Sequence, residues 1–338
     1  MKYTYSGKDM HEASHAKTPT VAKDGVRVVQ KRRSTGGLIA IAGALAVAMI
    51  VVSVFWLFRS SSSKSENVRS INGSAEDGKV QDACLSPSCA AVRKYGLCVG
   101  LDRINPAAYP NVTLAQLNGC CNDAAMFGDM LRQIGYSASV VTNEDATISV
   151  VGQRLKEAAR QLSSGDVFFM LISGHGGREK ARDGKWHETW CLYDGEVWDE
   201  QIIAAFSRFK RGVRILLVND QCYSGGLFLE KQVAVSQHQY WISNVEDKSW
   251  APEKSVTSPD FPQLIQFASS RAEQTSAEYG VNGAWTFALL RSIVEDNGLT
   301  LRMWFNQAFQ KLERGKQDPQ WIEKGWVGDD FRNARFVD

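Results

Sequence analysis

A thiol and an imidazole are the residues of this 338-residue chain whose placement suggests chemistry. His175 ends the stretch 167–177 (VFFMLISGHGG) after an apolar run, and Cys222 does the same in 214–226 (RILLVNDQCYSGG). Each run is β-branched, of strand length, and stops abruptly among glycines, as a strand buried on both faces does. Loops leaving the carboxyl ends of adjacent parallel strands are where open α/β sheets place their chemistry. A free thiol is mostly protonated at neutral pH, so a nucleophilic cysteine needs a base beside it. In that scheme Cys222 attacks and His175 manages the proton, a contribution of roughly 10²- to 10⁴-fold. The N–H groups of Gly176 and Cys222 are then placed to hold the developing oxyanion. Alone, a cysteine after a strand is ordinary core; the second strand end, forty-seven residues earlier, changes the reading.

Two strand ends can cooperate only if a sheet sets them side by side. Residues 95–101 (YGLCVGL) are expected as a first strand and 123–134 as a helix, with Ala124, Phe127, Leu131 and Ile134 on one face and Gly135 as its C-terminal cap. A strand over 137–141 and a helix over 147–162 follow. After the strand before His175 the pattern predicts a loop to about Tyr193, then a helix over 200–209 and the strand before Cys222. A strand over 263–269 and helices over 285–294 and 301–312 precede a Trp-rich end. This alternation is that of an α/β fold with a mostly parallel central sheet and helices on both faces. Residues 227–261 break the rhythm and read as an insertion or a processing loop.

The amino-terminal quarter has a different composition. Residues 1–35 carry eight Lys/Arg against three Asp/Glu and read as a disordered basic tail. Because the whole chain sums to +2, the remainder sums to 2 − (8 − 3) = −3, which gives nucleic-acid binding by the main body no electrostatic support. Residues 36–58 (GGLIAIAGALAVAMIVVSVFWLF) are uncharged; as a helix they would extend roughly 35 Å, enough to span a hydrocarbon core of roughly 30 Å and contact membrane lipid. A cleaved signal peptide would have a shorter apolar core nearer the start. Five Lys/Arg in 21–35 against three in 59–73 put the tail in the cytoplasm and the body across the membrane. With no organelle signal, a bacterial plasma membrane is the expected location. Residues 59–91 are a Ser-rich, charged linker and the globular domain is 92–338. Seven cysteines are too few for a disulfide scaffold at this length; Cys84 and Cys89 read either as a local bridge or as two free thiols.

With SGHG after one strand and D-x-C-x-S-G (Asp220, Cys222, Ser224, Gly225) after the next, the chain resembles the caspase-like cysteine peptidases, the metacaspase branch in particular. The likeness extends to LCVGLD (97–102), LNGCCNDA (117–124), FASSRAEQTSAE (267–278) and GAWTFALL (283–290), and covers about residues 92–312. The animal-caspase signature Q-A-C-x-G is absent. The resemblance implies a caspase-like sandwich and endopeptidase activity through Cys222 and His175. It also implies cleavage after Arg or Lys, in a pocket formed by Asp123 and Asp220 with Cys120 and Ser173. Paired carboxylates beside a nucleophile favour a cationic side chain on physical grounds as well, and a helix-start role for Asp123 is compatible with this. The resemblance further implies a calcium site at Asp199, Glu200 and Asp183, although the position seven after the nucleophile is Leu229 and not acidic. Read on their own, Asp199 and Glu200 are surface carboxylates of a helix start.

His187 and Cys191, four apart, are two ligands at most and read as loop residues. Trp186, Trp190 and Trp198 read as a substrate wall or as closure of the core's edge. The sequence therefore points to a membrane-anchored cysteine endopeptidase acting on peptides or proteins with basic residues, with no cofactor beyond the implied calcium. The rival is a caspase-like binding or scaffolding domain with little or no hydrolysis.

Overall fold

The structure is a computed structural model. It describes residues 91–338 apart from 111, 181–183, 185, 229–249, 251–259 and 314, together with the backbone of 27–28 and 32–33. The first half of the domain runs β1 (Lys94–Gly100), α1 (Cys120–Gln133), β2 (Ser137–Thr142), α2 (Ile148–Gln161) and β3 (Val167–Ser173). Three shorter strands follow, β4 (Gly176–Lys180), β5 (Trp186–Leu192) and β6 (Gly195–Trp198), then α3 (Asp199–Phe206) and β7 (Arg214–Asp220). The second half is β8 (Gln263–Ala268), β9 (Ala277–Tyr279), β10 (Asn282–Gly283), α4 (Ala284–Glu295), α5 (Leu301–Gln310), β11 (Gln320–Lys324) and α6 (Asp329–Arg332).

Alternation within the apolar runs fixes the layers. In β3, Phe168, Met170 and Ile172 enter one core cluster with Val151 and Leu155 of α2 and Ile202 and Phe206 of α3. Phe169 and Leu171 enter the other, with Phe127 and Leu131 of α1, Trp285 and Leu289 of α4 and Trp304 of α5. Side chains alternate across a strand, so a run that is apolar at every position must be covered on both faces. The central sheet has the order β11–β8–β7–β3–β1–β2, parallel throughout except for β11, which runs antiparallel to β8. The α/β architecture with a mostly parallel sheet is therefore as expected.

Local signals set the helix ends. Thr147 caps α2 by accepting from Val150 N–H at 3.2 Å, and Thr300 caps α5. Gly135, at φ +86°, ends α1 where Tyr136 N–H reaches back to Leu131 O, the left-handed stop that sequence predicts.

One expectation is corrected here. The region between His175 and Tyr193 is not a loop: β4, β5 and β6 form an antiparallel sheet, and His187 lies in a strand, 6% exposed. The Trp-rich end contributes the edge strand β11. Among the described residues no helix is long and apolar enough to cross a membrane; the stretch 36–58, most of the linker, Cys84 and Cys89 lie outside them. Within the tail, Arg27–Val28 pair antiparallel with β4 and Arg32–Arg33 pair parallel with β9.

The start of β3 is held by one carboxylate. Asp166 accepts Ser163 N–H at 2.7 Å, Arg93 N–H at 3.0 Å and the Arg93 guanidinium at 2.7 and 3.0 Å. Burial pushes this carboxyl up, but the backbone N–H groups of Arg93 and Ser163 and the guanidinium override it and hold it below the ordinary range. A depressed folded-state value means that the stabilisation is complete above the unfolded pKa of about 3.9 and is lost as pH falls through the folded one. Asp166→Asn should cost about 1–3 kcal/mol in urea unfolding at neutral pH, and the gap to wild type should close in strong acid.

Candidate active site

Strand register brings the two loops together. β3 and β7 are hydrogen-bonded neighbours whose last residues, Ser173 and Asp220, are register partners. Beyond them the loops touch: Gln221 Nε2 donates to His175 O at 2.7 Å, and Gly176 packs on the Cys222 carbonyl so closely that a Cβ there would lie 2.1 Å from it. No side chain fits at 176, which is the physical reason for the second glycine of SGHGG. Tyr223, directly after the thiol, takes a left-handed conformation at φ +63°, costly for a bulky residue and held by its N–H bond to Gln274 O. His175 and Cys222 are both buried, at 1% and 2% exposure.

The imidazole has a partner that sequence reasoning missed. His175 Nε2 lies 2.8 Å from the carbonyl of Ala115 in the loop between β1 and α1. A carbonyl only accepts, so this contact places the proton of the neutral ring on Nε2 and leaves Nδ1 as the basic nitrogen. No side-chain signal marks a backbone carbonyl in sequence. The described cysteines form no disulfide, and burial pushes Cys98 and Cys191 well up.

Asp123 and Asp220 are both fully buried and tied to one short segment. Asp123 accepts from Ser173 Oγ at 2.7 Å, from Asn282 Nδ2 at 2.7 Å and from Gly283 N–H at 3.0 Å. Asp220 accepts from Ser276 Oγ at 2.6 Å and from the N–H and hydroxyl of Thr286 at 3.0 and 2.9 Å. The structure thus joins Asp123 to Ser173 and brings both aspartates to the β9–β10 hairpin and the first turn of α4, whose N-terminal dipole favours carboxylates. Cys120 opens α1, buried, with its N–H on Asp102 Oδ1 at 2.8 Å. Glu278 of β9, not singled out from sequence, is a third buried carboxylate and accepts from Asn118 and Gly119 N–H. Its signal was the motif 267–278 that it closes.

The expected metal residues behave differently. Asp183 lies outside the described residues, and so does Leu229. Asp199 is not a surface carboxylate: it is fully buried at the start of α3. His187 Nδ1 sits 3.0 Å from Asp199 Oδ1 and 2.8 Å from Glu200 Oε1, with Glu179 as its cross-strand partner. Burial lowers an imidazole's pKa, but the hydrogen bonds that the ring donates to both carboxylates override it and push His187 up to about 10. Calcium takes six to eight oxygens. Here the Asp199 oxygens already accept Glu200 N–H at 2.8 Å and Glu188 N–H at 3.3 Å, and a ring nitrogen occupies the point where the two side chains converge. The described donors do not fit calcium.

The three tryptophans separate. Trp190 is core, edge-on to Phe206 and Trp250. Trp186 is partly exposed under the Arg178 guanidinium, and Trp198 lies against His187.

The caspase-domain family model matches residues 103–325. The chain belongs to the caspase-domain family. This caspase-domain chain is 27% identical over 213 residues to metacaspase-9 of Arabidopsis thaliana, covering 58% of itself and 63% of that protein. It is 24% identical to metacaspase-1B of Neosartorya fischeri, covering 65% and 66%. It is also 28% identical over 156 residues to a Trypanosoma brucei brucei protein named inactive metacaspase-4, covering 39% and 41%. The caspase-domain chain thus spans less than two thirds of the length of these curated relatives. A crystal structure of a Geobacter sulfurreducens protein superimposes with a TM-score of 0.60 at 25% identity, covering 72% of this chain and 98% of that one.

The close approach at Gly176 gives a direct test. Gly176→Ala must displace the Cys222 backbone, and overpacking of this kind costs about 1–3 kcal/mol. The variant should unfold at a lower temperature than wild type in a thermal scan while keeping its far-ultraviolet circular dichroism.

Proposed function

We propose that the protein is a cysteine endopeptidase that cleaves after Arg or Lys. The observation that carries the reading is the juxtaposition of the two strand-end loops, with Gly176 on the Cys222 carbonyl and the His175 tautomer fixed by Ala115. Nδ1 of His175 takes the thiol proton, and the Cys222 sulfur adds to the scissile carbonyl carbon. The oxyanion that forms is held by the N–H groups of Gly176 and Cys222. The protonated ring then gives its proton to the departing amine as the C–N bond breaks. Water, deprotonated by the ring, attacks the thioester, and the carboxylic acid product leaves with the thiol restored.

Asp123 and Asp220 support the basic preference. The hydrogen bonds described for them come from neutral groups, which lower the cost of burial without cancelling a negative charge. Held on the same segment, 276–286, they give a site on this wall a negative potential that favours a guanidinium or ammonium and disfavours an acidic side chain.

The long connection between β7 and β8 is a second element of the proposal. Lys231, Lys248 and Lys254 lie in it, outside the described residues, and suit a peptidase of this specificity as self-processing sites. Membrane anchoring through 36–58 is the third. A single crossing puts the tail and the domain on opposite faces, whereas the pairing of 27–28 with β4 and of 32–33 with β9 needs them on one face. The two arrangements exclude each other in one molecule, and protease accessibility on sealed vesicles separates them.

Fluorogenic peptides ending in Arg, Lys, Asn or Asp test the chemistry. Arg and Lys peptides should turn over, Cys222→Ala should abolish the signal, and His175→Ala should lower kcat by roughly 10²- to 10⁴-fold. Asp220→Asn should raise KM for the Arg peptide. Turnover of the Asp peptide alone would refute the pocket, and wild type indistinguishable from Cys222→Ala on every peptide would favour the scaffolding role. Expressed side by side, wild type should yield fragments split within 229–259 and Cys222→Ala a single intact band.

A further inference from the structure

The position where a cation would brace the carboxylates of α3 is filled from within the chain. We propose that the side chain of His187 is a built-in substitute for the calcium ion that the family resemblance implies, so that this corner is complete without a metal. Its activity arm rests on the peptidase reading above; its binding arm does not.

Three observations carry it. The ring nitrogen stands within hydrogen-bonding distance of both Asp199 and Glu200, and the ligand atoms of all three residues lie within 4.8 Å of one another. An ion bound at that point would have to expel the ring from a buried site. The surroundings are also of the wrong polarity, because the backbone presents N–H groups of Glu188 and Glu200 to Asp199. Finally, the position seven after the thiol is Leu229, so the sequence supplies no carboxylate there.

The corner reaches the catalytic loops through β5. Trp190 of this strand pairs with Gly176. The carboxylate of Glu188, next to His187, packs so closely on Gly226 in the turn after Cys222 that a Cβ at 226 would lie 2.2 Å from it. Loss of the His187 ring should therefore loosen both the His175 strand and the Cys222 turn.

The test compares full-length wild type with His187→Asp in chelator and in millimolar calcium. Wild type should give no heat of calcium binding by calorimetry, no calcium shift in its thermal midpoint, and equal peptidase activity in both buffers. His187→Asp, which removes the ring and adds a third carboxylate beside Asp199 and Glu200, should melt lower than wild type in chelator. A wild type that binds calcium one-to-one, with the His187 ring nitrogen signals moving on binding, overturns the proposal. So does a His187→Asp protein as stable in chelator as wild type. If that variant folds in neither buffer, the wild-type calorimetry and ring signals decide alone. If no form turns over peptide, the peptidase reading fails, while the calcium measurements still decide this one.

Discussion

The site depends on one constraint, the parallel register between β3 and β7. β3 is apolar from Val167 to Ile172 and β7 from Ile215 to Val218, and both are covered on both faces, so a slip of one residue would exchange the contents of two cores at once. Fully burying a single large apolar side chain stabilises a protein by roughly 1.5–3 kcal/mol, and a slip would disturb many. The pairing of Ser173 with Asp220 is therefore over-determined by packing far from the loops. His175 and Cys222 inherit their proximity from that register, which is why a glycine at 176 suffices to complete the contact.

Buried carboxylates do the remaining joining. Asp123, Asp220 and Glu278 each fasten a residue of one structural layer to the segment 276–286 or to the start of α1, and each does so through several hydrogen bonds. Burying an ionised group costs several kcal/mol unless it is well solvated by the protein. These groups are solvated by hydroxyls, an amide and helix N-termini. The same groups thus hold the hairpin in place, so deleting any one of them removes a structural joint as well as a charge.

Much of this was legible in the sequence where one physical signal dominated. Runs such as 167–173 and 214–220 can only be strands buried on both sides, and Thr147 and Gly135 punctuate helices by chemistry that needs no tertiary context. What escaped was encoded against the usual rules. β5 carries His187, Glu188 and Thr189 at buried positions, so neither alternation nor an apolar run betrays it. β11 is an edge strand of five half-buried residues, visible only through its pairing with β8. Asp199 looks like a surface cap until His187 of strand β5 is seen to face it. The Ala115 carbonyl has no sequence signature at all.

Trp250 of the long connection puts its indole N–H on the Ile148 carbonyl at 2.8 Å and its ring edge-on to Trp190. On either side of that connection, β7 and β8 share six register pairs. Covalent continuity between the two halves is thus redundant for their association. A chain nicked ahead of Trp250 would migrate as one particle under native conditions and separate into two only when denatured, because the sheet that carries both loops stays whole.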